Sequence, residues 1–180
     1  KNWAYKLLER NGWTINLVQE LPSKCVICVA PHTSNWDFII GILVKYALHI
    51  KANFFMKKDW FFFPMGYLMR SLGGIAIQRD KKLRMTDQMA AEFANHDTLC
   101  IAITPEGTRK ANPEWKMGFY HIAKKAEVPI LIVGLDFKER KAKILDLFKP
   151  TDNEALDIKY IKEKYLGITA KYPELFDLGL

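Results

Sequence analysis

A chain of 180 residues is the right length for one domain, and at that size folding buries roughly 70% of the surface the unfolded chain exposes, so a disulfide framework is unnecessary. Its three cysteines, an odd number, point the same way and favour a reducing, cytoplasmic setting. A net charge of +7, from 27 Lys and Arg against 20 Asp and Glu, draws the molecule toward something anionic: nucleic acid, a phosphorylated substrate or lipid headgroups.

The stretch NWAYKLLERNGW carries Trp3, Tyr5, Leu7 and Leu8 and closes on Asn11-Gly12, as a loosely amphipathic helix would. KCVICVA then predicts a strand, NWDFIIGILVKYALHI a helix and ANFFMK a second strand. DWFFFPMGYLMRSLGG is irregular or helical and is interrupted by Pro64. Beyond it come strand IAIQ, helix RMTDQMAAEFANH, strand TLCIAIT, helix WKMGFYHIAKKAE, strands PILIVGLDF and AKILDLF, and a last helix, NEALDIKYIKEKYL.

Short, almost continuously apolar strands separated by helix-length segments predict an α/β fold with a largely parallel or mixed central sheet and helices on both faces. With no repeat, low-complexity tract or Gly/Ser linker, residues 1–180 form one domain: an N-terminal helical segment over 1–22, an α/β core over 23–150 and a C-terminal helix over 151–180. Lys45 breaks the best apolar run, FIIGILVKYALHI, so no stretch reaches the ~18 residues of a membrane-spanning helix. The chain starts at Lys1 without a methionine, which leaves room for an upstream leader or anchor.

In sheets of this kind ligands bind beyond the carboxyl ends of the strands, where this chain places PHTSNWD, QRD and TPEGTRK. His32 and Asp37 are five apart, about 140° around a continuous helix, and cannot pair if both are helical. They can pair if His32 lies in a turn and Ser34 caps the helix, since Asp37 then falls in the first helical turn within reach of one imidazole nitrogen, leaving the other free as a base. Ser34-x-x-Asp37 also reads as a capping box with His32 an ordinary turn residue, and the spacing does not choose between the two. There is no Gly-x-Ser-x-Gly elbow, so a base here would act on a hydroxyl brought by the substrate.

Arg79 ends one strand, and Glu106, Gly107, Thr108, Arg109 and Lys110 follow another. Two arginines, one beside a glycine turn, suit a phosphate monoester, although a solvated Arg79–Asp80 pair and a plain tight turn account for the same residues. Cys25 and Cys28 should point to opposite faces of their strand and read as core. His49, His96 and His121 have no metal-ligand spacing, so no metal is expected.

These motifs resemble the glycerolphosphate acyltransferases of the lysophosphatidic acid acyltransferase type. The resemblance has four parts in order: His32-x4-Asp37, Gly74-x4-Arg79, Pro105-Glu-Gly-Thr-Arg109 and Val128-Pro129. It implies that His32 deprotonates the acceptor hydroxyl while Asp37 orients it. Arg79, Glu106, Gly107 and Arg109, with Thr108 in the same block, would form the acceptor-phosphate site. The acyl group would come from a thioester on coenzyme A or acyl carrier protein, a co-substrate rather than a cofactor, and pass to a lysophospholipid such as 1-acyl-glycerol-3-phosphate. Pro31, Thr104 and Lys110 depart from residues common in the family and leave another lyso-lipid acceptor open.

NFFMKKDWFFFPMGYLMR interleaves aromatics with Lys57, Lys58 and Arg70, as an element lying on an anionic membrane surface would, while packing inside the core is the plainer reading. Of Trp60, Phe61, Phe62 and Phe63 at least one must face away from the core. The expectation is a cytoplasmic enzyme peripherally associated with the membrane. A non-catalytic lipid-binding protein is the rival, and nucleic acid is not expected as a partner because the basic residues are scattered and no binding motif is present.

Overall fold

The computed structural model describes residues 1–16, 20–77 and 84–180. Its elements are α1 (Trp3–Arg10), β1 (Thr14–Asn16), β2 (Lys24–Ala30), α2 (Asn35–Ala47), β3 (Ala52–Lys57), α3 (Met65–Ser71), β4 (Gly74–Ile77), α4 (Met85–Asn95), β5 (Leu99–Ile103), α5 (Gly118–Ala126), β6 (Ile130–Asp136), β7 (Lys141–Phe148) and α6 (Glu154–Lys164). A 3-10 turn at Lys58–Phe61 precedes α3, so the segment around Pro64 is helical on both sides of a break.

The described strands form one seven-stranded sheet in the order β1-β7-β6-β2-β5-β3-β4. All neighbours pair in parallel except β6 and β7, which form an antiparallel pair joined by a short turn. The sheet is therefore mixed, and β2 to β6 all run the same way. Their carboxyl ends share one edge, where the polar segments after β2 and β5 emerge side by side.

Successive side chains of β2 alternate between two cores. Val26, Cys28 and Ala30 pack with Phe93 of α4, Phe119, Tyr120 and Ile122 of α5, and Ile161 of α6. Cys25 and Ile27 face the other way with Ala52, Cys100 and Leu131, while Leu8, Trp13 and Ile40 bring α1 and α2 against Leu135 and Ala142 on that side. Cys25 and Cys28 thus fall in different clusters, as their spacing on a strand requires. The Cys25 thiol lies 3.4 Å from that of Cys100, its in-register partner on β5.

Two features have no counterpart in the hydrophobic pattern. The N-terminal segment contributes not only α1 but also β1, three residues that pair with Lys141–Lys143 at the edge of the sheet. After α6 the chain continues as an irregular segment with one 3-10 turn at Pro173–Leu175: the Thr169 carbonyl accepts from Phe137 N at 2.8 Å, Tyr172 N donates to Thr33 Oγ1 at 3.3 Å, and Gly179 packs against Pro113. This segment crosses the site edge of the sheet from β6 to the loop after β5.

Lys45, which interrupts the apolar stretch of α2, donates its Nζ to the Leu72 carbonyl at the end of α3, and burial lowers its pKa. Among the described residues no helix is long and apolar enough to cross a membrane.

The Tyr165 hydroxyl, fully buried at the end of α6, bridges the carbonyls of Cys28 and Val133 at 2.9 Å each and so ties the helix to the outgoing ends of β2 and β6. Tyr165→Phe should lower the free energy of unfolding by about 1–2 kcal/mol in urea titration, because it removes the donor shared by two buried acceptors. An unchanged midpoint would show that these bonds contribute no stability.

Candidate active site

The turn that leaves β2 is held by its own side chains. Ser34 is the N-cap of α2: its hydroxyl accepts from Trp36 N at 3.2 Å, and Asp37 at position N3 completes the capping box. Asp37 Oδ2 accepts from Thr33 N at 2.6 Å and Ser34 N at 2.8 Å, and the same oxygen stands 3.6 Å from His32 Nδ1. The capping and pairing readings of this stretch therefore describe one geometry: the carboxylate that caps the helix also faces the imidazole. At 3.6 Å the contact is an ion-pair distance rather than a hydrogen bond, and such contacts commonly tighten when reactants bind.

Asp37 is buried, whereas about a quarter of the His32 side chain is exposed. His32 Nδ1 is itself buried with no hydrogen-bond partner among the described residues, so the exposed surface of the ring belongs to its other atoms. Nδ1 thus faces Asp37, and the ring's solvent-accessible part lies away from that contact. The two hydroxyls in the turn, on Thr33 and Ser34, are buried and already accept bonds from Tyr172 N and Trp36 N. Neither is presented as a nucleophile.

The second polar segment follows β5, the neighbour of β2. Gly107 takes φ +66°, in the left-handed region that favours glycine, and reverses the chain beside Lys116. The turn is braced by Lys116 N donating to the Pro105 carbonyl at 2.8 Å and Asn112 Nδ2 donating to the Glu106 carbonyl at 3.1 Å. The reversal separates the side chains: Glu106 is 1% exposed, whereas Arg109 and Lys110 are in solvent and Thr108 is half-buried. Glu106 Oε1 accepts from His32 N at 2.7 Å, and Arg109 Nη1 donates to Asn35 Oδ1 at 2.6 Å. Both contacts join the loop after β5 to the turn after β2.

The structure thus brings His32, Asp37, Glu106, Gly107, Thr108 and Arg109 to one edge. Arg79 lies in 78–83, outside the described residues, as do the side chains of Lys57, Lys58 and Trp60. Among the described residues no group of three or more His, Cys, Asp or Glu is set to hold a metal ion. Two neighbours escaped the motif reading. Asn35 sits inside PHTSNWD, where an exposed amide in the first helical turn could have signalled a partner for Arg109. Lys171 places its Nζ 5.0 Å from the Trp36 ring centroid, from a distant segment with no local signal.

Burial pushes the Glu106 carboxyl up to about 7, with the nearby Asp37 charge adding to the effect and the His32 N–H bond opposing it. Because the folded-state pKa is raised, the folded protein keeps a proton that the unfolded chain loses above its ordinary value of 4.5. Stability conferred by this group is complete below that value and is lost as pH rises toward 7, by roughly 3 kcal/mol in all. Glu106→Gln, which does not titrate, should therefore gain on the wild type by that order between about pH 4 and about pH 8 in paired denaturant titrations. Parallel stability curves for the two proteins would contradict it.

The Acyltransferase family model matches residues 14–136, a span that includes β1 through β6 and His32, Asp37, Arg79 and Glu106 to Lys110. No curated protein sequence matches the chain. Among solved structures, the 1-acyl-sn-glycerophosphate (LPA) acyltransferase PlsC from Thermotoga maritima aligns with a TM-score of 0.65 at 19% identity, covering 92% of this chain and 76% of that one.

Proposed function

The chain belongs to the acyltransferase family and is an acyltransferase; from that premise we propose that it moves a fatty acyl group from a thioester, on coenzyme A or acyl carrier protein, to the hydroxyl of a lysophospholipid such as 1-acyl-glycerol-3-phosphate. The observation that carries the reading is the His32–Asp37 pair at the strand edge, with Arg109 on the adjoining loop. His32 takes the proton of the acceptor hydroxyl as its oxygen attacks the thioester carbonyl. The C–S bond then breaks, and the departing thiolate takes the proton from His32. Asp37, at 3.6 Å from Nδ1, supports the imidazolium formed between these steps. The exposed guanidinium of Arg109, with Gly107, Thr108 and Arg79, holds the acceptor phosphate through paired N–H donors.

The proposed setting is the cytoplasmic surface of an anionic membrane. Support comes from the segment after β3, which turns large apolar side chains outward: Phe63 is 82% exposed and Tyr67 69%, with their rings 5.9 Å apart, and Phe62 and Leu68 are exposed beside them. The Arg70 guanidinium lies 5.5 Å from the Phe61 ring centroid, so a cation accompanies the patch.

His32→Ala should lower transfer from acyl-CoA to 1-acyl-glycerol-3-phosphate by ~10² to 10⁴ without altering the thermal unfolding profile. Undiminished transfer would end the reading of His32 as base. Wild-type protein that binds vesicles but releases no thiol from any acyl thioester would end the catalytic reading altogether.

Arg109→Ala should raise KM for the phosphorylated acceptor by about tenfold or more and leave KM for the thioester unchanged. Equal effects on both substrates would move the phosphate site elsewhere. In vesicle co-sedimentation, Phe63→Asp should weaken binding to anionic phospholipid by about tenfold or more, the effect of losing one buried aromatic side chain. Unaltered binding would place the membrane contact on another surface.

A further inference from the structure

We infer that Glu106 is a positioning residue for His32, acting on the main chain of the catalytic turn and not on the acceptor phosphate. The inference rests on the reading of His32 as the base and deepens it. Three successive backbone N–H groups, those of His32, Thr33 and Ser34, are received by just two buried carboxylates. Glu106 Oε1 accepts the first at 2.7 Å, and Asp37 Oδ2 accepts the second and third at 2.6 and 2.8 Å. The turn is gripped by one carboxylate from within and by another from the next strand.

The placement of Glu106 separates it from the phosphate. Its side chain is 1% exposed, and its second oxygen is buried with no hydrogen-bond partner among the described residues. A carboxylate in the first contact shell of a phosphate would repel it. Here the left-handed Gly107 takes the chain around, so the carboxylate is enclosed under the turn while Arg109, three residues on, stays in solvent. One short loop therefore carries an outward group for the acceptor and an inward group for the base. Arg109 bonded to Asn35 and Glu106 bonded to His32 N cross-link the same two loops at separate points.

The test compares Glu106→Gln with Glu106→Ala, using 1-acyl-glycerol-3-phosphate and acyl-CoA. The glutamine side-chain oxygen still accepts from His32 N, so kcat and both KM values should stay within about threefold of wild type. Alanine leaves that N–H without its acceptor, and kcat should fall by about 10²-fold, the scale of a 1 Å misplacement, with KM for the acceptor unchanged. A rise in acceptor KM with kcat preserved would overturn the inference in favour of phosphate contact. An equal kcat loss in both variants would overturn it in favour of a requirement for the charge itself.

Should the alanine protein fail to fold, the amide resonance of His32 in wild type and Glu106→Gln decides the matter without any substrate. It should titrate together with the Glu106 carboxyl in the wild type and lose that titration in the variant. A His32 amide indifferent to pH and to the substitution would mean that the bond is not made. Because this readout involves no turnover, an inactive or misassigned His32 would be distinguished from a mistaken role for Glu106.

Discussion

The parallel pairing of β2 with β5, in register from Lys24 and Leu99 to Cys28 and Ile103, determines what else can happen at the site. Two strands that run the same way deliver their following loops to the same edge, roughly one strand spacing apart, ~4.8 Å. That proximity lets a residue two positions beyond the end of β2 meet one three positions beyond the end of β5, although 74 residues separate His32 from Glu106 in sequence. An antiparallel arrangement would have sent the loops to opposite ends. The apolar character of the strands thus has a chemical consequence: the hydrophobic burial that stacks α4, α5 and α6 on one face and α1 and α2 on the other holds the polar edge in register.

Carboxylates carry much of the local organisation. An isolated buried carboxylate is costly, and each of the two near His32 offsets that cost by accepting backbone N–H groups. The offset is incomplete for Glu106, whose pKa rises to about 7 because burial outweighs its one hydrogen bond. A similar device recurs away from the site: Asp157 in α6 accepts from Tyr120, from Thr151 N and from Thr151 Oγ1, binding that helix to α5 and to the loop that precedes it. The molecule repeatedly uses a buried acid to hold a loop, and at the strand edge that loop bears His32.

How much of this was legible follows from which interactions are local. β2 and β3 coincide with their apolar runs, and α2 starts at the residue after the predicted cap, because the signals for strand, cap and helix lie within a few residues of one another. Three-residue β1 is too short to show a period and exists through its pairing with β7, more than a hundred residues away. The His32–Asp37 spacing left helix capping and pairing open, since both are met by one carboxylate. Its resolution needed the turn in three dimensions. The motif Pro-Glu-Gly-Thr-Arg groups residues by sequence, but Gly107 sends Glu106 and Arg109 into opposite environments, and adjacency in the chain does not reveal that.

The irregular segment after α6 carries a consequence for the order in which the site comes together. Its contacts reach back across the whole chain: Tyr172 to Thr33 over 139 positions, Lys171 to Trp36, and Gly179 to Pro113. Contacts of such sequence separation close loops at a large entropic cost and form late. During vectorial synthesis Tyr172 can reach the Thr33 hydroxyl only after the 139 positions between them have been made. The edge that carries His32 and Asp37 therefore acquires its full set of neighbours only once the segment after α6 has been made.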